Sequence, residues 1–417
     1  EHHWQSEQYR EITNTYIYMK IIHTSDWHLG QNFYCYDRED EHEFFISQLE
    51  DIIREEQPDA LVVSGDIYDN IAPSIAALEL FVRSVMRLRD ACQSCTIVIT
   101  AGNHDSGNRL NVLRPVWDAH NVKVFGSCQC NDDKTFNPDE LIVRIGDKGY
   151  VVAVPFFQTM AFPQADVNTP REERQKRFFE KLMGTVAEHN HDYLPIILMA
   201  HLAVSGCNLR GHDNGIVGGM EMHTLDKLNT GYDYLALGHI HMPQDIIANH
   251  VRYSGSPIPL SFSEDYQHSV TIVEIDRHGD TPHLRHKDIV PLRTVRTIRA
   301  TSLDDALQEL ATVGNTEQVY IRIIIDNKES LPANAEQLAR EVVEGKEGVR
   351  ICEVRKDMSK VQVTQTTEAE DIDLTSTDNT FTPMDLAQRH YRKQVQSDLP
   401  ADLEEMMRKV INEITNN

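Results

Sequence analysis

The sequence predicts a layered α/β domain, then a small α+β unit, then a pair of terminal helices. Three observations predict this. Short apolar runs recur through residues 19–290, with amphipathic stretches between the first of them. The pattern changes near Pro291 to a compact strand–helix alternation, and near Lys360 to a polar stretch. A chain of 417 residues also exceeds what one core organises, so two or three domains are expected.

The strand-like runs are Lys20–Thr24, Ala60–Ser64, Thr96–Ala101, Pro195–Ala200 and Tyr234–Leu237. Between the first two, Phe44, Phe45, Leu49, Ile52 and Ile53 recur at helical spacing. Between the second and third, Ala77, Leu78, Phe81, Val85 and Leu88 do the same. Strand–helix–strand alternation stacks helices on sheets. In such folds the chemistry sits at the carboxyl ends of the strands.

Residues 291–358 read as strand Thr294–Ala300, helix Leu303–Ala311, strand Val319–Ile325, helix Ala335–Val343 and strand Val349–Glu353. Residues 359–380 are poor in apolar side chains and read as a linker. Residues 381–417 are helical again. Thr382 suits an N-cap, Pro383 the first turn, and Phe381 with Leu386 a hydrophobic staple. Past Leu399-Pro400-Ala401, a second helix sets Leu403, Met406, Met407, Val410, Ile411 and Ile414 on one face. That face, with Leu386 and Tyr391, has no neighbour in sequence to cover it and is expected to await a partner. Residues 1–18 are polar and precede Met19, and are expected to be an artefact of cloning or of gene-start assignment.

The formal charge of −25 weighs against nucleic acid, whose phosphates are normally met by Lys and Arg. Part of that acidity sits in Glu368, Glu370, Asp371, Asp373 and Asp378, and bound cations would offset more. Arg109, Arg114, Arg171, Arg174, Lys176 and Arg177 are scattered, and the last four read as a solvated helix face. Seven cysteines, an odd number, suggest reduced thiols and a cytoplasmic location. Cys92-x-x-Cys95 and Cys128-x-Cys130 lack matching partner pairs for zinc and are expected to be free. No apolar run is long enough to span a bilayer.

Five segments close strand-like runs with metal-ligand side chains. They are Asp26-Trp27-His28, Gly65-Asp66-Ile67-Tyr68-Asp69, Gly102-Asn103-His104-Asp105, Ala200-His201 and Gly238-His239-Ile240-His241. Alone, each dipeptide is more often a turn or a structural histidine. Five in order, each after a strand, point to a pair of divalent ions that clamp a phosphoryl group. Asp26 with His28, and His239 with His241, are expected to point one way from extended strand ends. Asp66 is the natural bridge, and Asn103 and His201 add an amide oxygen and an imidazole. Imidazoles mixed with carboxylates suit Mn²⁺, Fe²⁺ or Zn²⁺ better than Mg²⁺. His104 follows a ligand and is placed to protonate a leaving oxygen, with Asp69 or Asp105 orienting it. Trp27 and Tyr68, beside ligands, are expected to pack in the core or as walls.

These motifs resemble the calcineurin-like metallophosphoesterase superfamily. Ile22–Gly30 and Tyr253–Glu264 are further similar to its SbcD family of nuclease subunits. The resemblance implies a β-sandwich core flanked by helices. It implies one ion on Asp26, His28, Asp66 and His241, and another on Asp66, Asn103, His201 and His239. It implies two Mn²⁺, with His104 as the catalytic acid. It implies a 3′→5′ exonuclease on double-stranded DNA that also cuts hairpins and single strands. Residues 291–358 would be the capping domain. Residues 381–417 would bind an SbcC-type ATPase, within a heterotetramer built on a nuclease homodimer. A small-molecule phosphodiesterase or phosphatase on the same site, or a non-catalytic ATPase adaptor, are the alternatives.

Overall fold

In the computed structural model the described residues are 18–211, 221–326 and 331–357, with 400, 404 and 407. The core begins with β1 (Met19–Thr24), α1 (Glu39–Glu56), β2 (Ala60–Ser64), α2 (Ile75–Ala91) and β3 (Thr96–Thr100). Short helices α3 (Gly107–Asn111) and α4 (Arg114–Ala119) lead to β4 (Val122–Phe125), β5 (Ile142–Ile145) and β6 (Gly149–Ala153). Then come α5 (Arg174–His189), β7 (Ile196–His201), β8 (Ala203–Val204), β9 (Met222–His223) and β10 (Tyr234–Gly238). The core closes with β11 (Gln244–Ile247), β12 (Val251–Tyr253), β13 (His268–Ile275) and β14 (His283–Ile289).

Two six-stranded sheets result, ordered β14-β13-β1-β2-β3-β4 and β11-β12-β10-β7-β6-β5. Their facing sides share one apolar core, to which Ile21, Val62 and Val98 come from the first sheet and Ile197, Leu198 and Leu235 lie in the second. Period-2 alternation turns Ile22, Leu61, Val63, Ile97 and Ile99 outward, under α1 and α2. The result is the expected α/β sandwich flanked by helices.

Local sequence explains the helices. Ser74 caps α2, its hydroxyl accepting from Ala77 N at 3.2 Å. Gln57, left-handed at φ 45°, closes α1. Two expected face positions shift. Phe44 is 39% exposed while Ile46, three residues before Leu49, is buried. Leu80 is buried and Leu78 only partly so. Both helices have wider buried stripes than the spacing alone specifies.

After the core come β15 (Thr294–Ala300), α6 (Leu303–Ala311), β16 (Val319–Ile325), α7 (Ala335–Val342) and β17 (Val349–Lys356). The three strands form a parallel sheet with its own apolar core. Only the end of α7 and the longer β17 depart from the sequence reading. A second cluster, Phe33, Phe262, Tyr320 and Cys352, joins this sheet to the main core.

Residues 1–17 lie outside the described residues. So do the linker and most of the terminal helices, including Leu386, Tyr391, Leu403, Met406, Val410, Ile411 and Ile414. Within that region Glu404 and Met407 are helical. No described helix is long and apolar enough to cross a membrane.

Candidate metal centre

All five expected segments leave their strands at the same end of the sandwich, because β1, β2 and β3 run parallel, as do β7 and β10. The exits are not the extended ends that the sequence suggested. Asp26 (φ 53°), His28 (φ 46°), Asp66 (φ 49°) and His239 (φ 93°) all have positive φ. Such backbone is costly for residues other than glycine and persists only where the surroundings hold it. Here Asp26 N donates to Gly65 O at 3.1 Å and His28 N to Asp66 O at 3.1 Å, pinning the first exit on the second.

Two glycines allow the close approach. A Cβ on Gly65, at φ 83°, would lie 2.2 Å from His201 Nδ1. One on Gly102 would lie 2.1 Å from Asp66 Oδ1. Neither position accepts a side chain without displacing a site residue.

The side chains converge in two groups of expected ligands, and a third group at the rim brings His28 together with Asp69 and His104. The ligating atoms of Asp26, His28 and His241 all lie within 4.8 Å of one another, as do those of Asp66, His201 and His239. Asp66 spans the groups, its Oδ2 3.2 Å from His201 Nε2 and 3.6 Å from His28 Nε2. Asn103 Oδ1 lies 3.0 Å from His201 Nε2 and 2.8 Å from His239 Nδ1. The other oxygen of Asp66 accepts from His104 N at 2.8 Å, and Asp26 Oδ1 accepts from His239 N at 2.9 Å. Each carboxylate therefore ties two exits together; the second oxygen of Asp66 faces His28 and His201, and that of Asp26 accepts from Ser25 Oγ at 2.6 Å.

The imidazoles are oriented from behind. His201 Nδ1 donates to Ser64 O at 2.8 Å, and His28 Nδ1 to Asp69 Oδ1 at 3.3 Å. His241 Nδ1 donates to Glu264 Oε1 at 3.1 Å. In each case Nε2 is left to face inward.

The charges match a cation site. Burial alone lowers the His28 pKa, but the Asp69 hydrogen bond and the Asp66 and Asp26 charges raise it to about 8. For His201 burial again opposes protonation, and the Asp66 charge prevails and raises its pKa to about 9. Positive charge is thus favoured between these groups. His28 Nε2 is buried without a hydrogen-bond partner. Buried imidazole nitrogens, carboxylate oxygens and an amide oxygen facing one another form a donor set that divalent cations satisfy.

His104 is exposed at the rim, with its ring 4.8 Å from that of His28. Its Nδ1 donates to the backbone oxygen of Asp69 at 2.7 Å. Asp69 therefore meets His104 through its main chain and His28 through its carboxylate. Asp105 does not take the expected place behind His104. Its buried carboxylate accepts from Gly102 N (2.8 Å), Ile67 N (3.0 Å) and Tyr68 N (2.9 Å), stapling the second and third exits together. Burial, then the nearby Asp66 charge, raises its pKa to about 7. Trp27 and Tyr68 are buried in the apolar core, against Phe45 of α1 and Phe81 of α2.

The sequence reading missed Glu264 and the Ser64 carbonyl as supports. Glu264 was visible at the end of the Tyr253–Glu264 stretch, but nothing local joins it to His241. The basic candidates do not form a stripe. Arg177 pairs with Glu173 and Glu180, Lys176 with Glu180, and Arg114 lies over the Phe125 ring. All seven cysteines are free.

Comparison with known proteins agrees with this geometry. The family model for calcineurin-like phosphoesterases matches residues 19–243. The SbcD component of the nuclease SbcCD from Escherichia coli (strain K12) is 32% identical over 333 residues, covering 75% of this chain and 79% of that protein. The SbcD protein of Rhodobacter capsulatus is 32% identical over 288 residues, covering 66% and 71%. That of Bacillus subtilis (strain 168) is 32% identical over 270 residues, covering 61% and 66%. With its cluster at the strand ends of the matched region, the chain belongs to the calcineurin-like phosphoesterases and, within them, to the SbcD family.

Proposed function

We propose that the chain is a divalent-metal-dependent DNA nuclease acting with an SbcC-type ATPase in the cytoplasm. On this reading it degrades double-stranded DNA from 3′ ends and cuts hairpins and single strands. The observation that carries the reading is the paired cluster bridged by Asp66, at the strand ends of a phosphoesterase sandwich. The names of its relatives supply the nuclease activity and the SbcCD assembly.

Asp26, His28, Asp66 and His241 would hold one Mn²⁺, and Asp66, Asn103, His201 and His239 the other, with Mg²⁺, Fe²⁺ or Zn²⁺ as the open alternatives. When bound, such ions polarise phosphoryl oxygens and lower the pKa of a coordinated water. The protein's own part is positional. Asn103 sits in the cluster with its amide oxygen inward, so its turn also holds His104 at the rim of the cluster, beside His28. His104 commits Nδ1–H to the Asp69 carbonyl and keeps Nε2 for the substrate. As the imidazolium, with a second proton on Nε2, it would deliver that proton to the leaving oxygen and return to the neutral Nδ1–H form.

The acidic surface pairs many of its own cations, so the ATPase supplies much of the grip on DNA. Residues 291–358 would cap the core, residues 359–380 would link, and residues 381–417 would dock the ATPase, with a nuclease homodimer at the centre of a heterotetramer. The test is Mn²⁺- against Mg²⁺-supported cleavage of blunt, hairpin and single-stranded DNA, with and without the ATPase, beside a cyclic dinucleotide. DNA cleavage stimulated by the ATPase is expected, and preferential hydrolysis of the cyclic dinucleotide would overturn the reading. In the same assay His104→Ala should bind metal normally and lose about 10²–10⁴-fold in turnover. Unchanged turnover would remove the acid role.

A further inference from the structure

The geometry points to Glu264 as a positioning residue that fixes the ring and tautomer of His241, so that Nε2 faces the position shared with Asp26 and His28. This inference rests on the metal-site reading and extends it to a residue outside the five strand-end segments.

Glu264 is 1% exposed, at the end of the loop that follows β12. Both of its oxygens are used. Oε1 accepts from His241 Nδ1 at 3.1 Å. Oε2 accepts from Ser256 Oγ at 2.9 Å and from Leu260 N at 3.1 Å. The same loop grips His241 a second time, because Ser256 N donates to the His241 carbonyl at 2.9 Å. Backbone and ring of His241 are thus held by one rigid piece. Glu264 N in turn donates to Ser261 O at 3.2 Å, closing that loop on itself.

The placement has a chemical consequence. Neutral imidazole exists as two tautomers, and only the form with its lone pair on Nε2 can ligate at the Asp26–His28 position. A carboxylate on Nδ1–H selects that form and increases the donor strength of Nε2. The His241 side chain is 14% exposed and its ring stands edge-on to that of His28, 5.3 Å between centroids, a contact that does not by itself choose between the two tautomers. A glutamate whose second oxygen is fixed by two donors supplies a directional restraint that does choose.

Glutamine at this position cannot reproduce the arrangement. Its amide nitrogen would face either His241 Nδ1–H or the Leu260 N–H, both donors. Glu264→Gln is therefore expected to weaken one of the two divalent sites about 10–100-fold and to leave the other near wild type. The measurement is Mn²⁺ stoichiometry and affinity on the full chain, by equilibrium dialysis with elemental analysis and by electron paramagnetic resonance. Nitrogen-15 spectra of the metal-free protein report the His241 tautomer, which should be Nδ1–H in wild type and mixed in the variant. Equal Mn²⁺ affinity at both sites with an unchanged tautomer overturns the positioning role while the metal site stands. A wild-type chain that binds no divalent ion overturns both. If Glu264→Gln does not fold, Ser256→Ala replaces it. That variant keeps the charge, loosens the same carboxylate, and should weaken the same site about fivefold; no weakening overturns the proposal.

Discussion

At the seam between the core and the three-stranded unit, Glu41 is fully buried, and Arg38, Arg293 and Tyr320 all meet it. In the metal cleft, Asp66 is almost as buried, and among the described residues its ion-pair partners are His28 and His201. The seam answers a buried carboxylate with guanidinium groups whose charge is permanent. The cleft answers it with imidazoles that can give up their protons and offer lone pairs instead. A seam so balanced needs nothing further, whereas the cleft is completed by an added cation. The type of base beside a buried acid therefore separates a structural use of charge from a ligating one.

The largest effect is expected in the cleft. Asp66 contributes to both groups, so Asp66→Asn removes charge from both at once. It should abolish tight binding of at least one divalent ion and reduce cleavage about 10³-fold or more, since the remaining oxygen donors are too few for a pair. The checks are bound Mn²⁺ per chain and single-turnover cleavage of hairpin DNA. Retention of two tightly bound ions would contradict the bridging role.

The seam should respond in the opposite sense, with a change in stability and none in metal content. Glu41→Ala leaves Arg38, 1% exposed, and Arg293, 8% exposed, without their shared carboxylate. Arg38 keeps Pro259 O at 2.7 Å and Gln31 Oε1 at 2.6 Å, and Arg293 keeps Asp40 at 2.8 Å, so the loss is partial. Breaking a buried pair in this way costs about 3–5 kcal/mol. Urea unfolding at neutral pH measures it, and Mn²⁺ stoichiometry should stay at the wild-type value. A fall in stoichiometry would mean that the two regions are not separable.

The same contrast explains what the sequence made legible. The small unit was readable almost to the residue, since Thr294–Ala300, Leu303–Ala311 and Val319–Ile325 have local periodicity and clear ends. The five strand-end segments were readable because each places a ligand type directly after an apolar run. What stayed hidden depends on contacts distant in sequence. Tyr320 meets Glu41 across 279 positions, and nothing near either residue announces it. Asp105 looked like a partner for His104 because it follows it in sequence. It turns instead to amides near Ile67, which lie far off in the chain and close in space. The left-handed exits at Asp26 and His28 were invisible for a related reason: the hydrogen bonds that impose them come from the neighbouring strand's turn.

The smallest effect belongs to a pair at the rim of the sandwich, neither sealed like the seam nor poised like the cleft. Glu56, at the end of α1, accepts from Arg285 at 2.9 and 2.8 Å and from Lys20 at 3.3 Å. Its pKa is lowered from the ordinary glutamate value to about 2, first by the Arg285 hydrogen bonds, against some burial, and then by Lys20. A carboxylate depressed in the folded state binds its proton more readily when unfolded. The stability it lends is therefore complete above the unfolded value of about 4.5, declines as pH falls, and is gone below about 2. Because Arg285 and Lys20 reach solvent, screening keeps the contribution to about 1 kcal/mol, or ~1–2 °C in melting temperature for a unit of this size. Glu56→Gln should melt lower than wild type by that margin at pH 7, and the two curves should converge between pH 4.5 and 2. Taking the difference between the two proteins cancels the acid sensitivity of every other carboxylate. A gap that persisted at pH 2 would place the Glu56 contribution in packing rather than charge, and the rim would then belong with neither region of the comparison.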